Sequence, residues 1–146
     1  MTLQRLAFAT CLAIASLFMS GCAVNRASAN VDPGANLAAI KRVHVVHVAE
    51  DDRRIDELIA QRMTQLGFVA TTGPDKRKDV DANMTYIDRW MWDLTMYMLD
   101  LTIVVRDPAT DFPLATGNSH HTSLTRLSPK EMVDEVTGNI FKAVKK

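Results

Sequence analysis

The sequence predicts an α+β fold, a two-layer sandwich in which a mainly antiparallel sheet of four to five strands carries two helices on one face. Three observations predict it: apolar residues at helical spacing over 55–66, apolar and polar residues in alternation over 82–105, and a capped helix after Ser128. The predicted order of elements is β-α-β-β-β-β-α, and it allows both helices to pack on the same side of the sheet.

A short strand and a helix are predicted first. Residues 43–48 read VHVVHV, and such β-branched residues favour a strand. Asp51 or Asp52 is expected to cap the helix that follows, and Gly67 fits the position just after its end. The apolar face of this helix is expected to comprise Ile55, Leu58, Ile59, Met63 and Leu66. A second short strand is expected over 68–70.

A β-hairpin is predicted over residues 82–105. The expected core positions of its first strand are even-numbered: Ala82, Met84, Tyr86 and Trp90. Those of its second strand are odd-numbered: Tyr97, Leu99, Leu101, Ile103 and Val105. Because the buried face changes from even to odd numbers, a turn or a bulge is expected around residues 92–95. A further strand is expected over 114–123.

The last helix has the clearest start signal. Ser128, Pro129 and Glu131 match the N-cap, N1 and N3 positions of a capping box. Leu127 and Met132 match the two positions of a hydrophobic staple. A helix is therefore predicted from residue 129 towards the carboxyl end of the chain.

The first 21 residues have the layout of a secretory signal. Arg5 precedes an uncharged apolar stretch, residues 6–19, which ends at the small residues Ser20 and Gly21. As a helix this stretch would span roughly 21 Å, whereas the hydrocarbon core of a bilayer is roughly 30 Å thick. Cleavage is therefore favoured over a retained transmembrane helix.

Residues 19–22, Met-Ser-Gly-Cys, resemble the lipobox of bacterial lipoproteins, whose usual form is Leu, then Ala or Ser, then Gly or Ala, then Cys. Met19 departs from the usual Leu. The resemblance implies cleavage before Cys22 and a lipid on its sulfur, and two or three acyl chains would anchor the protein stably. Ala23 in place of Asp implies the periplasmic face of the outer membrane. A plain signal peptide with an unmodified Cys22 is the alternative.

The predicted organisation is a signal peptide over 1–21, a flexible tether over 22–40 and a single α/β domain over 41–146. The tether is predicted from small polar residues around an Asp-Pro-Gly turn at residue 33. Residues 79–81, 86–97 and 128–133 also resemble an uncharacterised group of short proteobacterial lipoproteins. That resemblance implies no particular activity.

Composition and motifs argue against several functions. Seventeen basic and seventeen acidic residues cancel, so the chain lacks the excess positive charge typical of a nucleic-acid binder. The sequence has no G-x-S-x-G elbow, no H-E-x-x-H pair and no glycine-rich phosphate loop. We therefore expect a protein that is not an enzyme and that uses no cofactor.

An apolar cluster in the hairpin is the candidate partner-binding site. Alternation is expected to place Met91, Trp92, Met96 and Met98 largely away from the core, where flexible thioethers and an aromatic ring suit a partner surface. The expected partner is another envelope component, most simply a protein. Core packing of these residues is the structural alternative.

Four histidines suggest a second function, the binding of a metal or a small ligand. His44 and His47 are expected to point to opposite faces of one strand, and so are His120 and His121. Neither pair chelates alone. A site would form if the two strands were neighbours and each gave one histidine, with a carboxylate such as Asp100 as a further ligand. Surface or hydrogen-bonded structural histidines are the alternative.

Overall fold

A computed structural model describes residues 25–142 of the chain. The predicted signal peptide over 1–21, Cys22, residues 23 and 24 and the last four residues lie outside this range. The strands are β1 (Asn25–Val31), β2 (Arg42–Val46), β3 (Val69–Gly73), β4 (Ala82–Asp93), β5 (Thr95–Arg106) and β6 (Pro113–His121). The α-helices are α1 (Ile55–Gln65) and α2 (Pro129–Phe141).

Within the described residues, the strands form one six-stranded sheet in the order β1-β6-β5-β4-β2-β3. The pairs β1–β6, β6–β5 and β5–β4 are antiparallel, whereas β4–β2 and β2–β3 are parallel. The parallel pairing of β2 with β3 requires a crossover, which α1 provides. The predicted α+β class and the order β-α-β-β-β-β-α are confirmed. The sheet has six strands and not the predicted four to five, because β1 joins it.

Both helices cover one face of the sheet. They pack against each other, with α1 over β2 and β3 and α2 over β1, β6 and β5. The core between helices and sheet includes the following fully buried residues: Val45, Ile55, Ile59, Met63, Met84, Leu101, Ile103, Val133, Val136 and Ile140. Burying such side chains is worth about 1.5–3 kcal/mol each and is the main favourable term in folding. Among the described residues, no helix combines the length and apolar character needed to cross a bilayer.

The start of α2 and the end of α1 follow the sequence signals. The start of α1 does not, because its N-cap residue is Arg54, with a φ of 58°, and not Asp51 or Asp52. The Ser128 hydroxyl accepts a hydrogen bond from the N–H of Glu131, and the Glu131 carboxylate accepts one from the N–H of Ser128, so the capping box forms. At the start of α1, the Asp51 carboxylate accepts a hydrogen bond of 2.6 Å from the N–H of Ile55. Gly67 follows α1 with a φ of 94°, a conformation that glycine adopts without a Cβ penalty.

The structure corrects the predicted tether over 22–40. Residues 25–31 are not a flexible linker but the edge strand β1, which pairs with β6 from Asn25 opposite His121 to Val31 opposite Ala115. Leu37 and Ile40, also assigned to the tether, are buried in the core. The sequence of β1 is small and polar because the strand is almost entirely exposed, and this composition does not distinguish an edge strand from a linker.

A bulge explains the change of buried face in the hairpin. Arg89 pairs with Asp100, but Trp90 pairs with Met98, so Leu99 has no partner on β4. The extra residue shifts the alternation, so that Met98 joins the core together with Leu101. The prediction that Leu99 belongs to the core is wrong: it is half-buried.

Candidate functional site

The β4–β5 hairpin extends beyond the rest of the sheet. Strand β6 pairs with β5 only from Asp100 onwards, and β2 pairs with β4 only as far as Met84. Beyond the pair of Arg89 and Asp100, the two hairpin strands are therefore paired only with each other in the described part of the chain. The hairpin projects as a two-stranded arm.

The end of this arm is apolar and exposed. Met91, Trp92, Leu94 and Met96 are 45%, 68%, 86% and 51% exposed, respectively. We call these four residues the hairpin tip. Large apolar side chains that are exposed together mark contact surfaces more often than ones scattered singly.

Three of the four predicted partner-binding residues lie in the hairpin tip, and the fourth does not. Met91, Trp92 and Met96 are exposed as predicted, whereas Met98 is fully buried. The prediction for Met98 is wrong because the bulge at Leu99 turns its side chain into the core. The prediction missed Leu94, which occupies the turn with a φ of 60°. Its position inside the expected turn over 92–95 was the available signal.

Arg126 holds the hairpin from the side. Its guanidinium donates to the Asp93 carbonyl at 2.9 Å and to the Thr95 hydroxyl at 2.7 Å, and it lies 4.5 Å from the centroid of the Tyr97 ring. It also pairs with the Asp93 carboxylate, to which the Ser123 hydroxyl donates a short hydrogen bond. The arm is therefore braced, and the one charged group of residues 90–98 is paired.

Trp90 differs from Trp92. It is half-buried against the core, and its indole N–H donates to the Asp88 carboxylate at 2.5 Å. The Arg53 guanidinium lies 4.1 Å from its ring centroid, a cation–π contact. The two tryptophans are thus a packed one and an exposed one, only two residues apart.

The metal site predicted from one histidine of each strand is not formed. His44 lies on β2 and His120 and His121 lie on β6, and two strands, β5 and β4, separate β2 from β6. His44 instead bonds the Thr71 hydroxyl at 2.8 Å, and His120 pairs with Asp100 at 3.1 Å. Asp100 therefore binds one of the four histidines but does not bring two of them together.

His121 belongs to a polar network beneath α2. Its Nε2 lies 2.9 Å from the Glu135 carboxylate, and its Nδ1 lies 2.8 Å from the carbonyl of Thr125. The Ser119 hydroxyl donates to the same carboxylate at 2.6 Å. Burial opposes ionisation of Glu135, but the hydrogen bonds from Ser119 and His121 outweigh it and hold the pKa of this carboxyl below its usual value. Because the serine bonds the glutamate rather than the histidine, these residues do not form a serine–histidine couple, and the Ser119 hydroxyl is fully buried.

His47 lies in the other polar cluster, which sequence reasoning missed. Its Nδ1 is 3.3 Å from Oδ2 of Asp56, and one ligand atom each from His47, Asp51 and Asp56 lies within 4.8 Å of the others. The three residues line a surface cleft of about 410 Å³ beside Gly73 and Pro74. The three residues are four and five positions apart across a loop, and this spacing matches no regular ligand pattern. Only the fold brings their side chains together.

The two aspartates of this cluster differ in their bonding. Asp51 accepts hydrogen bonds from the N–H of Ile55 and from the Tyr86 hydroxyl, the latter at 2.7 Å. Burial opposes ionisation of Asp51, but these bonds outweigh it and hold its pKa below the usual value. Burial and the bond to Asp51 raise the pKa of Tyr86. Asp56 is 3% exposed, and its Oδ1 is a buried oxygen with no hydrogen-bond partner among the described residues.

Comparison with known proteins identifies the fold. No protein-family model matches the chain, and no curated protein matches it in sequence. PelC from Paraburkholderia phytofirmans, solved as a dodecamer, has a similar structure with a TM-score of 0.57 at 9% identity, covering 84% of this chain and 98% of that chain. A DUF4136 family protein from Bacteroides thetaiotaomicron gives a TM-score of 0.53 at 10% identity, covering 82% of this chain and 95% of that chain. The chain therefore shares its fold with small α/β proteins of bacteria.

Proposed function

We propose that this chain is a non-enzymatic lipoprotein of the bacterial envelope, anchored through Cys22 to the periplasmic face of the outer membrane. We further propose that it acts as a binding or assembly module and contacts another envelope component through the hairpin tip. The lipobox-like residues 19–22 support the anchor. The observation that carries the binding role is the braced arm with four exposed apolar side chains at its end.

Two features agree with an assembly role. PelC, whose fold is similar, was solved as a dodecamer, so this architecture accommodates contacts between many chains. The hairpin tip is also held in place before any contact is made, because Arg126 fixes the turn through Asp93 and Thr95. A preordered surface loses less conformational entropy on binding than a mobile loop.

Photo-crosslinking in cells tests the binding role. A photoreactive amino acid at Leu94, 86% exposed, should give defined adducts with lipid or protein. The same amino acid at Val69, 65% exposed on β3, is the matched control and should not. Identical adducts at both positions, or none at position 94, would contradict the proposal.

The anchor is tested separately by metabolic labelling with a radioactive fatty acid. We expect label on the wild-type chain, and none on a Cys22→Ser variant. Mass spectrometry of the mature chain should also show that it begins at residue 22. An unlabelled wild-type chain would contradict the anchor.

Binding of a divalent cation is the second candidate function, and the cluster of His47, Asp51 and Asp56 favours it over the site predicted from sequence. Within residues 25–142, the buried Oδ1 of Asp56 has no hydrogen-bond partner, and a buried carboxylate oxygen is costly unless something compensates it. Imidazole with carboxylates is a donor set that zinc accepts, and two ligands held at about 2.0–2.1 Å in tetrahedral geometry lie roughly 3.3 Å apart. The observed separation of His47 and Asp56 is 3.3 Å.

Calorimetric titration of the full chain with Zn²⁺ tests this candidate. Asp56→Asn should weaken binding by at least about tenfold, since even outer-shell partners of a metal are worth about 10- to 100-fold in affinity. Asp100→Asn is the matched control, because Asp100 pairs with His120 at a similar distance elsewhere. No zinc binding, or equal loss in both variants, would rule the site out.

A further inference from the structure

The hairpin tip and the amino-terminal end of β1 lie at the same end of the sheet. Arg89 pairs with Asp100, Asp100 with His120, and His120 with Arg26, so these four residues form one row across four strands. Beyond this row, β1 continues backwards to Asn25 and the hairpin continues forwards to its turn. The chain that precedes β1 therefore starts from the end of the sheet from which the arm projects.

The hairpin turn and Cys22 are separated from this row by similar numbers of residues. Leu94 is five residues beyond Arg89, which at about 3.4 Å per residue puts the turn roughly 17 Å past the row. Cys22 is four residues before Arg26, and four residues of fully extended chain span at most about 14 Å. The sulfur of Cys22 cannot lie much farther from the row than the turn of the hairpin does.

The chemistry of the hairpin tip suits a lipid surface. Tryptophan is enriched, as tyrosine is, at the boundary between headgroups and hydrocarbon, and leucine and methionine add apolar contact area. Asp93, the charged residue within the arm, is paired with Arg126, which lowers the cost of bringing it into an interface. Leu124, 78% exposed, lies next to Ser123, which bonds Asp93, and so adds to the same apolar end.

We propose that the envelope component contacted by the hairpin tip is the lipid leaflet that holds the acyl chains of Cys22. The inference rests on the proposed function, because it requires the lipid on Cys22. The domain then stands end-on to the membrane with two attachments, the acyl chains at one side of the sheet end and the side chains of Trp92 and Leu94 at the other. In this orientation neither edge of the sheet contacts lipid, and neither does the sheet face opposite the helices.

Quenching of tryptophan fluorescence tests the proposal, because Trp90 and Trp92 are the only tryptophans in the chain. The full lipidated protein is reconstituted into vesicles of phosphatidylethanolamine and phosphatidylglycerol that carry bromine on their acyl chains. A Trp90→Phe variant, which reports on Trp92 alone, should lose most of its emission relative to unbrominated vesicles. The Trp92→Phe variant, which reports on the packed Trp90, should lose little.

Three results would count against the proposals, and each has a different meaning. Lipid on Cys22 is verified by mass spectrometry before reconstitution, so absence of the anchor would contradict the proposed function itself. A lipidated protein whose Trp92 emission is unchanged by bromine would overturn only the membrane contact. Crosslinks from position 94 to a protein instead of lipid in whole cells would likewise overturn it and assign the surface to a protein partner.

Discussion

At the scale of single residues, His44 shows how a polar group is tolerated inside the domain. Its side chain is 3% exposed, and its Nδ1 bonds the Thr71 hydroxyl. Burial lowers the pKa of the imidazole below its ordinary value, and Arg77 contributes in the same direction, while backbone groups near Gly73 and Asp75 partly oppose them. The neutral ring is therefore the form that the fold accommodates.

The lowered pKa of His44 predicts a loss of stability in mild acid. The unfolded chain takes up the proton near its ordinary pKa of about 6.5, whereas the folded chain does so only at lower pH. The contribution of neutral His44 to the unfolding free energy is therefore complete above about pH 6.5 and is lost as the pH falls below that value. A His44→Asn variant should therefore lose less unfolding free energy than wild type between about pH 7.5 and pH 5.5.

Urea unfolding at both pH values measures this difference. All other residues are the same in the two proteins, so the difference in pH dependence reports on His44. Equal pH dependence in the two proteins would show that His44 does not contribute.

Residue patterns predicted most of the core but not its exceptions. Alternation identified Ala82, Met84 and Tyr86 correctly, because a regular strand alternates its faces strictly. It misplaced Met98 and Leu99, because the local sequence does not specify which residue of a strand a bulge leaves unpaired. The change from even to odd core positions showed that an irregularity was needed, and pairing with β4 determined where it lies.

At the scale of elements, the packing of α2 on β6 depends on a glycine. A Cβ at Gly117 would lie 2.8 Å from Cγ1 atoms of Ile140 and Val136. Both residues are fully buried, and a branched side chain on a helix has little rotamer freedom. The helix therefore approaches the strand at a distance that only glycine permits at this position.

We predict that Gly117→Ala destabilises the protein by about 1–3 kcal/mol, because the added methyl group overpacks this contact. Chemical denaturation monitored by circular dichroism measures the change. The matched control is Gly138→Ala on α2, where an added Cβ meets nothing within 4 Å. That variant should be more stable by about 0.5–1 kcal/mol, because alanine favours a helix interior over glycine. Destabilisation of similar size in both variants would contradict the packing argument.

Elements were predictable where a local signal defines them. The capping residues of α2 and the spacing of α1 depend on neighbours in sequence, so both helices were predicted. Strand β1 was not, because its residues bury almost nothing and its pairing with β6 is a long-range contact. A segment without an apolar face gives no indication from its sequence that it will form an edge strand of a sheet.

At the scale of the whole molecule, β1 completes the sheet and shields the edge of β6. We predict that replacing residues 25–31 with a Gly/Ser segment of equal length lowers the unfolding free energy by roughly 2–4 kcal/mol, since each glycine in a strand interior costs roughly 0.5–1 kcal/mol relative to alanine and so weakens the pairing with β6. Denaturant unfolding measures this loss. Light scattering should also show more self-association, because β6 becomes an exposed edge. Unchanged stability and solubility would show that β1 is dispensable.

The candidate sites differ in how far the sequence could predict them. The sequence predicts the exposure of three of the four residues of the hairpin tip, because they lie close together in sequence and follow the alternation of a strand. The cluster of His47, Asp51 and Asp56 was not, since it depends on where the loop before α1 turns and on how β3 approaches it. The position of the tip relative to β1 required the order of strands in the sheet.

The pairing of β1 with β6 also constrains the order of folding. Asn25 and His121 are partners although nearly the whole domain separates them in sequence. A chain synthesised from its amino end therefore produces β1 first and must wait for β6 before that strand has anywhere to pair. Closure of the sheet is thus a late event, and an incomplete chain has no means of holding its first strand in place.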